Sequence, residues 1–113
     1  MSPDIADKRR AFAALHQSGC FVIPNPWDAG SARYLQSLGF QALATTSAGF
    51  AWSHARPDNG ITRDMALAHL HEMVAAVDVP INADFENGFA PDAAGAAENV
   101  RLGRATGAAS LTI

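Results

Sequence analysis

Apolar and polar positions fall in blocks whose spacing switches between helical and extended periods. Ser2-Pro3-Asp4 reads as a helix start, with Ser as N-cap, Pro at the first position and acid in the first turn. Ile5, Phe12 and Leu15 then recur at helical spacing to about His16, and Gly19 ends the element. The apolar run Phe21-Val22-Ile23, bounded by Pro24-Asn25-Pro26, predicts a first buried strand. Asp28 caps a second helix from Ala29 to about Leu38, with Ala32, Leu35 and Leu38 inward and Gly39 closing it. Ala42-Leu43-Ala44-Thr45 predicts a second strand, and residues 47–61 read as irregular. Thr62 caps a third helix whose stripe Ala66, Leu70, Met73 and Val77 marks a core face. Val79 to Ala83 predicts a third strand. Pro91-Asp92 opens a fourth helix with Ala93, Ala97 and Val100 inward, Gly107 ends it, and Ser110 to Ile113 begins a fourth strand.

Strands separated by helices imply parallel pairing through right-handed crossovers. The expected class is therefore α/β with four strands. A closed (β/α)8 barrel takes ~250 residues, and 113 residues supply about half of one. A small doubly wound sheet is the other solution, and length does not separate the two. In a half barrel the sheet edges would be open, and inner-face side chains such as Ile23 or Ile81 would be partly wet.

Composition narrows the functional classes. With 49% apolar and 17% charged residues the chain is an ordinary globular one. A net charge of −3 without a basic block argues against nucleic acid as a partner. No apolar run approaches the ~18 residues of a membrane span, and the N-terminus lacks the apolar core of a signal peptide. The single Cys20 excludes an internal disulfide and fits a reducing cytoplasmic setting, where it reads as a buried inert thiol.

Three loops carry candidate chemistry. Asp84-Phe85-Glu86-Asn87-Gly88 follows the third strand directly. In extended chain residues i and i+2 share a face, so Asp84 and Glu86 project together at the carboxyl end of a parallel strand. Two hard carboxylates there suit Mg2+; they equally suit a solvated turn at Asn87-Gly88. Thr45-Thr46-Ser47-Ala48-Gly49 offers small residues whose N–H groups can approach an anion, or an ordinary loop. The long connection to Ile61, with Trp52, His54, Arg56 and Asp58, has the length of a lid. Asn25-Pro26-Trp27-Asp28 supplies a cap at Asp28 and an aromatic at Trp27. His69 and His71 lie two apart on a helix, so they face different ways and make no metal pair.

These loops in this order resemble the isocitrate lyase / phosphoenolpyruvate mutase superfamily. The resemblance rests on Asn25-Pro26-Trp27-Asp28-Ala29-Gly30-Ser31-Ala32, Thr45 to Gly49, Arg56-Pro57-Asp58-Asn59-Gly60-Ile61-Thr62 and Pro80 to Phe89, and covers roughly residues 20–113. It implies the N-terminal half of a (β/α)8 TIM barrel, truncated at the fourth strand. The implied function is Mg2+-dependent making or breaking of C–C or P–C bonds in small 2-oxo acids or their phosphorylated or phosphonate analogues, through a stabilised enolate. It places Ser47, Ala48 and Gly49 on the substrate carboxylate, Asp58 on a gating loop as the catalytic residue, and Asp84 and Glu86 at Mg2+. Glu86 departs from the family's second Asp by one methylene. A full-length form would be a homo-oligomer. The alternatives are a non-catalytic fragment acting as an assembly module and a small doubly wound anion-binding domain, although no Gly-rich phosphate loop is present.

Overall fold

The structure, a computed structural model, describes residues 2–113. Its elements are α1 (Ile5–Leu15), α2 (Ala29–Ser37), β1 (Leu43–Ala44), α3 (Ser47–Ser53), α4 (Arg63–Ala76), β2 (Ile81–Asp84), α5 (Ala93–Ala105) and β3 (Ser110–Thr112). Every helix starts on an oxygen-bearing cap. Asp28, Thr46, Thr62 and Asp92 each accept the N–H three residues on. At α1 the cap is Asp4, which takes the Asp7 N–H at 2.7 Å, two residues beyond the expected Ser2. Gly39 and Gly107 follow α2 and α5 at φ +94°, the left-handed exit that glycine adopts without strain.

The three strands are parallel in the order β1-β2-β3. Leu43 pairs with Ile81, and Asn82, Ala83 and Asp84 pair with Ser110, Leu111 and Thr112. The fold is thus α/β with parallel strands and intervening helices, with three strands among the described residues where four were expected. The missing one is Phe21–Ile23. The chain meets β1 only just after that stretch, where the Ala44 N–H donates to Pro24 O at 3.1 Å. The pairing goes no further because Pro24 and Pro26 have no N–H to return, and Val22 stays 65% exposed.

The core lies between the sheet and the helices. Ile81, Ala83 and Phe85, at alternate positions, are at most 2% exposed. Ile81 packs with Ala32, Leu43, Met73 and Val77; Ala83 and Phe85 pack with Phe50, Ala66, Leu70 and Ala108. The α4 stripe is buried as its spacing predicts. Two helix faces differ from expectation. Leu38 is exposed, and α5 buries Asn99 and Gly103 while Ala93 and Ala97 face out. Position 103 takes a glycine because it packs so close to the sheet that a Cβ there would collide with Leu111.

Ile81 is also not a wet inner-face residue. The other face of the sheet carries Asn82, Asp84, Ser110 and Thr112, and Ser110 Oγ and Thr112 Oγ1 both donate to Asn82 Oδ1. A polar face tolerates water, so the predicted apolar exposure does not arise there, whereas Ile23, in the unpaired stretch, is partly exposed as expected. Cys20 is exposed, in a loop too irregular to bury it. No helix among the described residues is long and apolar enough to cross a membrane.

Candidate active site at the carboxyl end of the sheet

The carboxyl ends of β1 and β2 bring two of the three sequence loops together. Thr45 follows β1 and Asp84 ends β2. The Asp84 N–H donates to Thr45 Oγ1 at 2.9 Å, while the Thr45 N–H donates to Asn82 O at 2.9 Å. The Asp84 carboxylate is held on both oxygens. Oδ2 accepts the Ser47 N–H at 3.0 Å and the Ser47 hydroxyl at 2.8 Å, and Oδ1 accepts the Glu86 N–H at 3.2 Å.

Residues 47–53 are helical rather than irregular. Ser and Gly give little helical signal. The turn forms because Thr46 caps the Gly49 N–H at 3.2 Å and because Gly49, Phe50 and Ala51 are buried. Gly49 is required: a Cβ would run into the Trp27 indole, which itself packs edge-on to Trp52 with ring centroids 5.8 Å apart. Of the three residues assigned to a substrate carboxylate, Ser47 is engaged with Asp84 and Gly49 with Thr46. The Ala48 N–H has no partner among the described residues.

Glu86 does not reach Asp84 by strand alternation, because the strand has ended. The chain turns after Phe85, with the Gly88 N–H donating to Phe85 O at 2.9 Å and Glu86 at φ +51°. Glu86 Oε1 is buried without a hydrogen-bond partner. Burial, then the charge of Asp84 and then that of Asp58, holds its carboxyl above the usual range. Two carboxylates with an unpartnered oxygen between protein groups are what a hard divalent cation would satisfy, so the residues fit Mg2+. Among the described residues no group of three His, Cys, Asp or Glu side chains lies close enough to hold a metal.

Asp58 lies on an exposed turn from His54 to Gly60, where Ala55 and Asn59 take positive φ. Its Oδ1 accepts the Asn59 N–H at 2.9 Å, and its charge reaches Glu86. Arg56 donates to Gly60 O at 3.0 Å, closing this turn on itself. Of the expected lid only this turn is exposed, because Phe50 and Ala51 are buried in the core.

The sequence set His69 aside as a metal partner of His71 and gave no sign of its place beside the site, because a single position on a core helix is uninformative. His69 stacks on Phe50, with centroids 4.0 Å apart, and its Nε2 is buried without a partner. Burial lowers its pKa. With Thr45, Ser47 and Asp84 it lines a cavity of about 10 Å3 under the loop. Asp28 is the helix cap the sequence predicted, accepting Ser31 N–H at 2.7 Å.

The family model described as phosphoenolpyruvate phosphomutase matches residues 12–113. A crystal structure of a protein assigned as a lyase/mutase from Burkholderia cenocepacia superposes with a TM-score of 0.94 at 51% identity, over 96% of this chain and 40% of that one. A phosphonopyruvate hydrolase solved with oxalate and Mg2+ superposes at 0.86 over 92% of this chain and 37% of its own; at 24% identity the likeness is one of fold. An uncharacterised protein of Mycobacterium tuberculosis is 36% identical over 86 residues, which is 74% of this chain and 33% of its own. The chain thus spans about a third of the curated relatives it matches and is part of a TIM-barrel architecture.

Proposed function

The chain belongs to the phosphoenolpyruvate phosphomutase family, and from that premise we propose that it carries the metal and carboxylate subsites of a Mg2+-dependent lyase or mutase acting on a small 2-oxo acid or its phosphorylated or phosphonate analogue. The observation that carries this reading is the buried, unpartnered Glu86 Oε1 beside an Asp84 carboxylate already fixed by Ser47. A bound Mg2+ would supply Lewis-acid stabilisation of negative charge developing on the substrate oxygen.

The chain's own residues do the rest. Ser47 and the Glu86 N–H hold the Asp84 carboxylate in one orientation, so it needs no reorganisation when a cation arrives. The Ala48 N–H, at the start of α3, is free to donate to a substrate carboxylate, with Ser47 and Gly49 shaping the loop around it. Asp58 sits on the turn that closes over the site and excludes water. In this reading Ser47 acts on the metal ligand more than on the substrate.

The reading is tested with Mn2+ as a spin-active substitute for Mg2+. Binding to the full chain is followed by electron paramagnetic resonance. Asp84→Asn keeps the size and one accepting oxygen for the Ser47 N–H and hydroxyl, but removes the charge and the acceptor for the Glu86 N–H. The expected result is a loss of Mn2+ affinity of more than about 100-fold, beyond the ~10–100-fold typical of an outer-shell partner, with thermal unfolding nearly unchanged. Equal affinity in Asp84→Asn and wild type would end the metal assignment.

A further inference from the structure

We propose that Asn99 is a positioning residue for Glu86: its buried side-chain amide holds the turn after β2 in the left-handed conformation that sets the Glu86 carboxylate beside Asp84. This rests on the reading of Asp84 and Glu86 as cation ligands.

The turn is strained in two ways. Glu86 and Phe89 have φ of +51° and +54°, in a region that non-glycine residues adopt only under constraint. Glu86 also buries a carboxylate oxygen with no partner. Strain of this kind persists only where the surrounding structure over-determines it. The bonds inside the loop do not supply that constraint. Glu86 N–H to Asp84 Oδ1, Gly88 N–H to Phe85 O and Phe89 N–H to Asn87 Oδ1 tie the turn to itself and to the strand it leaves.

The polar anchor to the helical layer is Asn99. It sits in α5 at 5% exposure, and its Nδ2 donates to Gly88 O at 2.9 Å and to Phe89 O at 3.1 Å. Its Oδ1 accepts from Arg63 Nη1 at 3.2 Å. A guanidinium only donates, so Arg63 fixes which end of the amide faces it and turns the NH2 toward the loop. Both amide hydrogens are then spent on consecutive carbonyls flanking the strained bend. Gly88 lies against Ala96 of the same helix, where a Cβ would come within 3.0 Å, and Phe89 packs edge-on to Phe85 at 5.0 Å. A buried asparagine in the middle of a helix is otherwise a poor choice, by propensity and by desolvation.

The test compares wild type with Asn99→Asp, which keeps the shape and the acceptor for Arg63 but has no donor for the two carbonyls. Arg63→Ala, at an exposed position, is the second variant, chosen because it leaves the core intact and merely frees the amide to rotate. Native-state hydrogen exchange is read at Gly88 and its neighbours, and Mn2+ affinity by paramagnetic resonance. The expected result for Asn99→Asp is exchange at Gly88 faster by about tenfold or more, with Mn2+ affinity lower by ~10–100-fold. Amides of α4 should keep their protection. Arg63→Ala should shift both readouts in the same direction by less.

Wild-type exchange at Gly88 in both variants would overturn the proposal. So would a uniform loss of protection across α4, α5 and the sheet, which marks a purely structural residue. A loosened turn with unchanged Mn2+ affinity would overturn it too, because the clamp would then not serve Glu86. If wild type and Asp84→Asn both fail to bind Mn2+, the metal reading fails, and the clamp stands or falls on exchange at Gly88 alone.

Discussion

The two ends of the sheet are built to opposite rules. At the amino end, α1 lies across the molecule and its neighbouring cations cap two other helices. Lys8 Nζ donates to Val77 O at 2.7 Å, at the end of α4, and Arg9 Nη2 donates to Arg104 O at 3.0 Å, at the end of α5. Cations at helix C-termini satisfy orphan carbonyls and complement the helix dipole. At the carboxyl end, Glu86 Oε1 has no partner, and Glu86, Phe89, Ala55 and Asn59 all take positive φ. Among the described residues, one end satisfies its polar groups; the other leaves two unsatisfied, Glu86 Oε1 and His69 Nε2, and strains the backbone around Glu86. In barrel enzymes chemistry sits at the carboxyl end and stability at the other; in this chain the unsatisfied polar atoms and the strained turns lie at the carboxyl end.

Breaking the amino end should cost the most stability. Lys8→Ala removes a buried stem and leaves the Val77 carbonyl unpaired, so unfolding free energy should fall by about 1–3 kcal/mol. Mn2+ affinity of the folded protein should not move. Urea denaturation with paired Mn2+ titration checks this, and a parallel loss of affinity would mean that the two ends are coupled. Lys8→Met, which keeps the stem, should lose less.

Changing the carboxyl end should do the reverse. Glu86→Gly suits φ +51° and removes the buried carboxylate, so the metal-free protein should gain stability, on the order of 1 kcal/mol. Its Mn2+ affinity should collapse. A destabilised Glu86→Gly would show that the turn is not strained. The sign of the pH effect follows from burial. The folded-state pKa of Glu86 is raised, so its contribution is present below the unfolded value near 4.5 and is lost as pH rises through the folded one. Glu86→Gln should abolish that component of the pH dependence in denaturation curves.

The smallest effect separates the sheet end from the layer beneath it. Burial lowers the His69 pKa, with Glu72 and Asp28 opposing and His54 reinforcing the shift. A depressed pKa means the stability is present above about 6.5 and is lost as pH falls through the folded value. Thermal midpoints should therefore drop on mild acidification, and His69→Gln should flatten that slope. An unchanged slope in the variant would assign the acid sensitivity elsewhere.

The sequence by itself determined the alternation of helices and parallel strands, the caps Asp28 and Thr62, the helix start at Asp92, the α4 core stripe and the loops that meet at the candidate site. Those features are local: a cap needs one oxygen three residues before an N–H, and a stripe needs only spacing. The resemblance to a known family was legible for the same reason, because its motifs are short and contiguous. Only the tertiary structure decided that Phe21–Ile23 stays unpaired, that Ser47–Ser53 is helical, and that Ile81 faces the helices while Asn82 and Asp84 face the open side. Each of these depends on what lies across the fold. Strand pairing needs a partner's free N–H and C=O, a short helix needs something to bury Phe50 against, and a strand's two faces are equivalent until one is covered. Glu86 is the sharpest case. Its spacing from Asp84 suggested alternation along a strand, yet the two are joined by a left-handed turn that Asn99, eleven residues beyond Gly88, holds from another element.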